Sequence, residues 1–196
     1  TGRINTHAYA FGGGGSAGVA GALNVNVMQR GLMTEVKGNG ATLATNAADV
    51  TAAADQTGVV DSIAGVLAFG GAAGVSAAIS VSYVNDSVAT AVRDVAFDTR
   101  ETGIADLTRA GKVTLRAGSD LEVMGSAASA GVAAGAGISG AVVVNVGAGE
   151  VSNTSRNTTI HARDLDILTL GDRNFTAYSG VLAGGFAGIG LATSVN

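Results

Sequence analysis

Four copies of one decapeptide constrain this chain more than any other feature. The first is Ala17-Gly18-Val19-Ala20-Gly21-Ala22-Leu23-Asn24-Val25-Asn26, and the others run Ala73 to Ser82, Ala136 to Asn145 and Ala187 to Asn196. All four keep the opening Ala, the Gly after it, an Ala at the sixth place and a Val at the ninth. The third place is Val or Ile and the tenth Asn or Ser. Successive copies start 56, 63 and 51 residues apart. Self-similarity at such a spacing marks a repeat architecture, in which each unit buries its faces only against its neighbours.

Composition narrows the kind of repeat. The chain has 31 Gly, no Pro, no Cys and no Trp, and 47% hydrophobic against 13% charged residues. With aromatics at 4%, the apolar material is mainly Ala, Val, Leu and Ile. A core of Ala, Gly and Val brings backbones close together, which predicts a thin, elongated body. The net charge of −4, without runs of like charge, excludes the clustered basic footprint that nucleic acid needs. Lack of Cys excludes disulfides and thiolate metal sites. No secretion signal opens the chain, and it closes on the last place of the fourth copy, so it reads as a piece of a longer array.

Along the chain, Leu23, Val25 and Val27 alternate with Asn24 and Asn26, the period-two pattern of a half-buried strand. Ile79, Val81 and Tyr83 alternate likewise with Ser80 and Ser82. Val113, Leu115 and Ala117 face inward, with Lys112, Thr114 and Arg116 outward. Turns are predicted at Gln29-Arg30-Gly31, Gly38-Asn39-Gly40, Asn85-Asp86 and Gly118-Ser119-Asp120. The polar stretch 98–111 reads as an inserted loop or short helix. The predicted fold is all-β, a single β-solenoid segment with units of about 1–40, 41–111, 112–170 and 171–196, the last restarting at Asp172-Arg173. At roughly 20 residues per turn, each unit would hold two or three turns, giving some nine turns and a rod about 40 Å long. Stacked Asn or Ser side chains would bond along the rod at the turns.

Chemical motifs are weak. Gly13 to Gly18 and Gly135 to Gly140 fit the dinucleotide fingerprint GxGxxG, but a strand pattern follows each where a helix is required. Gly14 to Gly18 also fits GxSxG, with His161 as a nominal partner for Ser16. The serine place becomes Ala72, Gly135 and Phe186 in the other copies, so the match is a packing pattern. His7 and His161 belong to no metal-ligand spacing. Asp164, Asp166 and Asp172 form the one local carboxylate group that a calcium site or a glycoside-cleaving pair would need. Their alternation with Leu165 and Ile167 is that of solvated strand positions. No catalytic, cofactor or metal residue is assigned. Asn85, Asn153, Asn157 and Asn174 each open an Asn-x-Ser/Thr sequence.

A membrane reading competes. Ala8–Gln29, Ser62–Asn85, Met124–Gly149 and Asn174–Asn196 are uncharged and long enough to span a bilayer as helices, with small-xxx-small spacings such as Gly70 and Gly74. Their abundant Gly, Ser and Asn and their period-two alternation speak for strands instead.

The Ala/Gly-rich run, then the AGVxxAxxVN-like decapeptide, then Asn85-Asp86-Ser87-Val88-Ala89-Thr90-Ala91-Val92, resembles repeats of large secreted bacterial adhesins. The likeness is to filamentous-haemagglutinin-like and leukotoxin-like exoproteins exported by two-partner secretion or as autotransporter passengers. It covers nearly the whole chain. The resemblance implies a right-handed parallel β-helix at a bacterial cell surface or released from it, without catalysis or cofactor. It also implies an outer-membrane transporter during export, copies or repeats joined end to end, and host-cell or matrix glycans or proteins as partners. The absence of Cys suits chains exported unfolded. The uneven spacings of 51 to 63 depart from a uniform array. No site residue transfers, because the likeness lies in scaffold positions.

Overall fold

The computed structural model describes residues 1–196. It is almost entirely β, with 82% of residues in strands and one short 3-10 turn at Leu107–Arg109. Ten strands follow in chain order: β1 Gly2–Gly14, β2 Ala17–Ala44, β3 Val50–Gly70, β4 Ala73–Asp98, β5 Val113–Ala133, β6 Ala136–Ala148, β7 Val151–Arg156, β8 Thr159–His161, β9 Leu165–Gly184 and β10 Ala187–Val195. The first sheet has the order β1-β3-β5-β9. The second has β2-β4-β6-β10, with β7 and β8 continuing beside β4 where β6 stops. Every pairing is parallel.

The chain passes once through each sheet per repeat, an arrangement compatible with a parallel β-helix. The four decapeptides lie side by side: Ala17 pairs with Ala73, Ala73 with Ala136, and Ala136 with Ala187, and the register runs on unbroken through the late Val. Each repeat is therefore one layer, and there are four layers. The expectation of two or three turns per unit, nine in all, is overturned. Strand partners sit a whole repeat apart, as Val50 with Val113 and Val113 with Leu165. The turns that would have divided each repeat lie inside long strands: Gln29 to Gly31 within β2, Asn85-Asp86 within β4, Gly118 to Asp120 within β5. Asp172-Arg173, the predicted restart of the fourth unit, lies within β9. Gly38 to Gly40 is a bulge: Lys37 pairs with Arg93 and Ala41 with Val95, and Asn39 and Gly40 have positive φ. Asp94 and Asn157 adopt the same left-handed conformation on the next layers, residue types that tolerate it best after Gly. Asn157 Nδ2 donates to Asp94 Oδ1 at 2.9 Å, so the bulges are tied together. Residues 99–112 form the predicted insertion, carrying the 3-10 turn.

Two-residue corners at 15–16, 71–72, 134–135 and 185–186 join each first-sheet strand to its second-sheet successor. The Gly after the opening Ala stands next to each corner because the facing backbone lies against it. A Cβ on Gly74 would sit 2.6 Å from the Val132 carbonyl oxygen, and one on Gly188 2.8 Å from that of Ala183. Gly18 and Gly137 are closed off in the same way by the carbonyls of Phe69 and of Gly131 and Gly184. The sheets thus converge at the corners and are filled there by Ala64, Ala78, Ala127 and Ala141 with Val66 and Val143. Bulk grows away from the corners. Met28, Val60, Val84, Leu121 and Val123 come next, and the far end holds Val92, Val95, Phe97, Val113 and Leu115.

Near the corners the second sheet is inverted. Asn24 is 7% exposed while Leu23 is 63% exposed, and the neighbouring layers repeat this: Ser80, Ser82 and Asn145 are buried, Ile79 and Val146 exposed. The half that faces inward is the small polar one. A gap too narrow for Leu or Ile admits Ser and Asn, most of whose polar atoms are bonded, though Ser82 Oγ and Asn26 Nδ2 are not. Asn24 Nδ2 donates to the carbonyls of Thr6 (2.8 Å) and Ile63 (3.1 Å) across the gap. Asn145 Nδ2 reaches the Thr176 carbonyl and Asn196 Oδ1, both at 2.9 Å. Ser129 donates to Ser76 at 2.7 Å, and Ser139 to the Ser129 carbonyl at 2.7 Å. Side-chain stacking along the layers is present, but in mid-strand and not at turns. At the far end the ordinary sense holds, with Val113, Leu115 and Ala117 buried as the alternation requires.

Candidate functional site

The most distinctive polar group is buried where three of the expected turns coincide. Arg30 on β2, Asp86 on β4 and Ser119 on β5 all point between the sheets, because strands of period two turn alternate residues inward. Arg30 Nη2 lies 3.2 Å from Asp86 Oδ1, and the Asp86 side chain has no exposed surface. Ser119 donates a short hydrogen bond to the other carboxylate oxygen, and Arg30 Nη1 donates to the Thr57 carbonyl at 2.8 Å. Arg173 on β9 completes the group by donating to the Asp86 carbonyl at 3.4 Å. Strands from all four layers therefore meet at one residue, three of them at its carboxylate and β9 at its backbone carbonyl. Thr57 and Ser119 also line a surface hollow, while the Asp86 side chain is fully buried behind them. The chemistry of the group is that of a fastening between layers.

The carboxylates singled out from sequence do not converge. Asp164 pairs with Arg163 Nε at 2.9 Å, and Asp166 pairs with Lys112. Those bonds raise the pKa of both partner cations above their ordinary values. Asp172 lies six residues beyond Asp166 on β9, about 20 Å away along an extended strand. No three residues among His, Asp and Glu gather at metal-binding distance. Strand geometry spreads along the sheet what sequence places close, in keeping with the reading of Asp164 and Asp166 as solvated strand positions. Asp172 instead pairs in register with Asp120, from 52 residues earlier, beside a surface hollow of about 610 Å³ that Asp55 and Arg116 also line. Arg116 Nε is bonded to Asp55 Oδ1 at 2.9 Å.

His7 stacks on Tyr9, ring centroids 6.2 Å apart, on the outer face of the first sheet. His161 lies at the end of β8, beside Asp98 at the far end of β4, while Ser16 sits at a corner, so the nominal hydrolase pair occupies opposite ends of the second sheet. The GxGxxG runs span the corners and lead into strands, leaving no helix N-terminus for a pyrophosphate. No helix is long and apolar enough to cross a membrane.

The outer faces carry the remaining candidate surfaces. On the first sheet an apolar groove of about 480 Å³ runs across the layers, floored by Gly65, Ala128 and Gly180 and walled by Phe11, Leu67 and Leu182. On the second sheet Val19, Leu23, Val25 and Val27 and their partners on the next layers form a flat, uncharged face. Comparison with protein-family models, curated proteins and solved structures returned no match.

Proposed function

We propose that this chain is a structural and adhesive segment: a right-handed parallel β-solenoid that extends a fibre at a bacterial cell surface and offers its side faces to host or matrix partners. The observation that carries the reading is the in-register stacking of the four decapeptides across one sheet. Such a stack gains length with every repeat and bonds each layer's backbone to the next, which suits a mechanical role. The outer edges of β1, β2, β9 and β10 are where further repeats or copies would continue it end to end. Grooves and aromatic side chains on the outer faces, Tyr9 and Phe11 among them, are the kind of surface that takes up glycans or protein loops.

The test is a binding panel. Beads coated with the chain are offered matrix proteins, glycans and host cells, with heat-unfolded chain as control, while polysaccharides are assayed for released reducing ends. Retention of folded-chain beads on at least one surface, without cleavage, supports the reading. Cleavage that is lost on Asp172→Asn, or beads retained no better than the control on every surface, refutes it.

A further inference from the structure

The four uncharged segments recognised in the sequence become one object in the fold. Each is a strand, a corner and a returning strand, and all four stack at the same end of the molecule. That end carries Ala, Ser and Asn inside with Val66 and Val143, and puts most of its Val, Ile and Leu outside, as one contiguous exposed apolar face. Five outward positions, from Val19 to Val27 on β2, repeat on β4 and β6 in register, and four of them reach β10. Ile189 and Leu191 on β10 are as exposed as Leu23 on β2.

We infer that the outer face of the second sheet is a self-association surface, covered by the same face of a second copy of this chain. The inference does not rest on the adhesive reading, and it concerns side-by-side pairing, not end-to-end growth. Three observations select this occupant. First, size: four strands about 4.8 Å apart and five outward positions about 6.7 Å apart make about 600 Å². Stable interfaces bury from about 600 to about 1,000 Å² on each partner, so the patch meets the lower bound of a stable dimer. Second, relief: the column Gly21, Ala77, Gly140 is a trough, closed at the β10 edge by Leu191, between the rows Val19, Val75, Ile138 and Leu23, Ile79, Val142, and a row of one copy seats in the trough of the other. Third, charge: the patch has none, and beyond Val27 the outward row of β2 adds Gln29, Glu35 and Lys37 around Met33, so a partner in register meets uncharged face with uncharged face. A lipid bilayer is disfavoured by the open edges. The outer sides of β1, β2, β9 and β10 would bring unpaired backbone groups into hydrocarbon, at several kcal/mol each.

The centre of the patch falls between Ile79 and Val142, which are register partners. A two-fold axis through that point brings Ile79 opposite either itself or Val142, so lysines at both sites set like charges against each other in either orientation. The experiment is sedimentation equilibrium of the full chain, with Ile79→Lys/Val142→Lys and, as a control on the opposite sheet, Phe11→Lys. The expected result is a wild-type dimer, a dimer in Phe11→Lys, and a dissociation constant raised at least about 100-fold in the double variant with its β circular dichroism unchanged. If the double lysine variant loses its β signal, Ile79→Thr/Val142→Thr takes its place, with a smaller rise of about 10-fold expected from the lost apolar area. Four outcomes overturn the inference: a monomeric wild type at about 100 μM, association unchanged by the central substitutions, association abolished only by Phe11→Lys, or a monomer that binds uncharged phosphatidylcholine vesicles through Ile79 and Val142.

Discussion

At the scale of single residues, the invariant Gly and the buried Asp86 pull in different directions. Gly74 has an ordinary φ, so what it contributes is the missing Cβ against the Val132 carbonyl. Gly74→Val is expected to cost about 2–3 kcal/mol through overpacking, lowering the melting temperature by about 4–10 °C. Gly21→Ala is the contrast, since its Cβ would meet only the Ala77 oxygen at 3.8 Å and thermal melts should barely shift. Asp86 brings a charge into a gap from which water is excluded, and its worth lies in not being alone. Removing it by Asp86→Ala strands the Arg30 guanidinium, for an expected loss of about 3–5 kcal/mol in denaturant unfolding. Pairing it with Arg30→Met should recover more than half of that loss, because two apolar groups of similar volume need no partner. A double variant no better than the single would mean that the Asp86 carboxylate acts through Ser119 instead.

At the scale of elements, the strand ends are governed by local polar bonds that respond to pH. Asp98 closes β4, and its bonds from Arg100, side chain first and backbone second, lower its pKa from 3.8 to about 2. A depressed carboxylate stabilises the fold above its unfolded pKa and loses that contribution as pH falls through the folded value. The 99–112 connection should therefore loosen between about pH 4 and pH 2, read as faster amide exchange there, and Asp98→Asn should remove that pH dependence. Elements were legible in sequence where alternation and burial agreed, as at Val113, Leu115 and Ala117, and where polarity interrupted the repeat, as at 98–111. They were illegible where local chemistry promised turns. Gln29-Arg30-Gly31, Asn85-Asp86 and Gly118-Ser119-Asp120 carry turn residues, yet each is held extended by pairing along its whole strand. Their polar side chains find one another across layers, Ser119 with Asp86 33 residues apart and Arg30 with Asp86 further still, beyond the reach of any local pattern. The inversion near the corners was hidden for a related reason. Alternation reveals that a strand has two faces, and only the width of the gap decides which is buried.

At the scale of the molecule, the length of one layer is what separates this architecture from a solenoid of short turns, and it can be tested by cutting the chain. Removing residues 73–135 joins the second corner to the third decapeptide. It brings β2 onto β6, β7 and β8, and β3 onto β9, in the same sense as the pairings lost. Arg30 loses its carboxylate with β4, so the deletion must carry Arg30→Met. The product should keep its β circular dichroism and unfold cooperatively, at lower denaturant than the parent, since stability in a stack is a sum over layers and their interfaces. Removing about 20 residues, one turn of a short-turn solenoid, has the opposite outcome here. Without residues 73–93, β4 lacks the part that covers Val19 to Lys37, the corner loses its decapeptide, and the buried face of β3 around Ala64 loses its cover. That variant should be unfolded or aggregated. A chain that tolerates the short cut and not the long one would place the layers at the smaller period and dissolve the alignment of the four decapeptides on which the face, the fastening at Asp86 and the proposed fibre all depend.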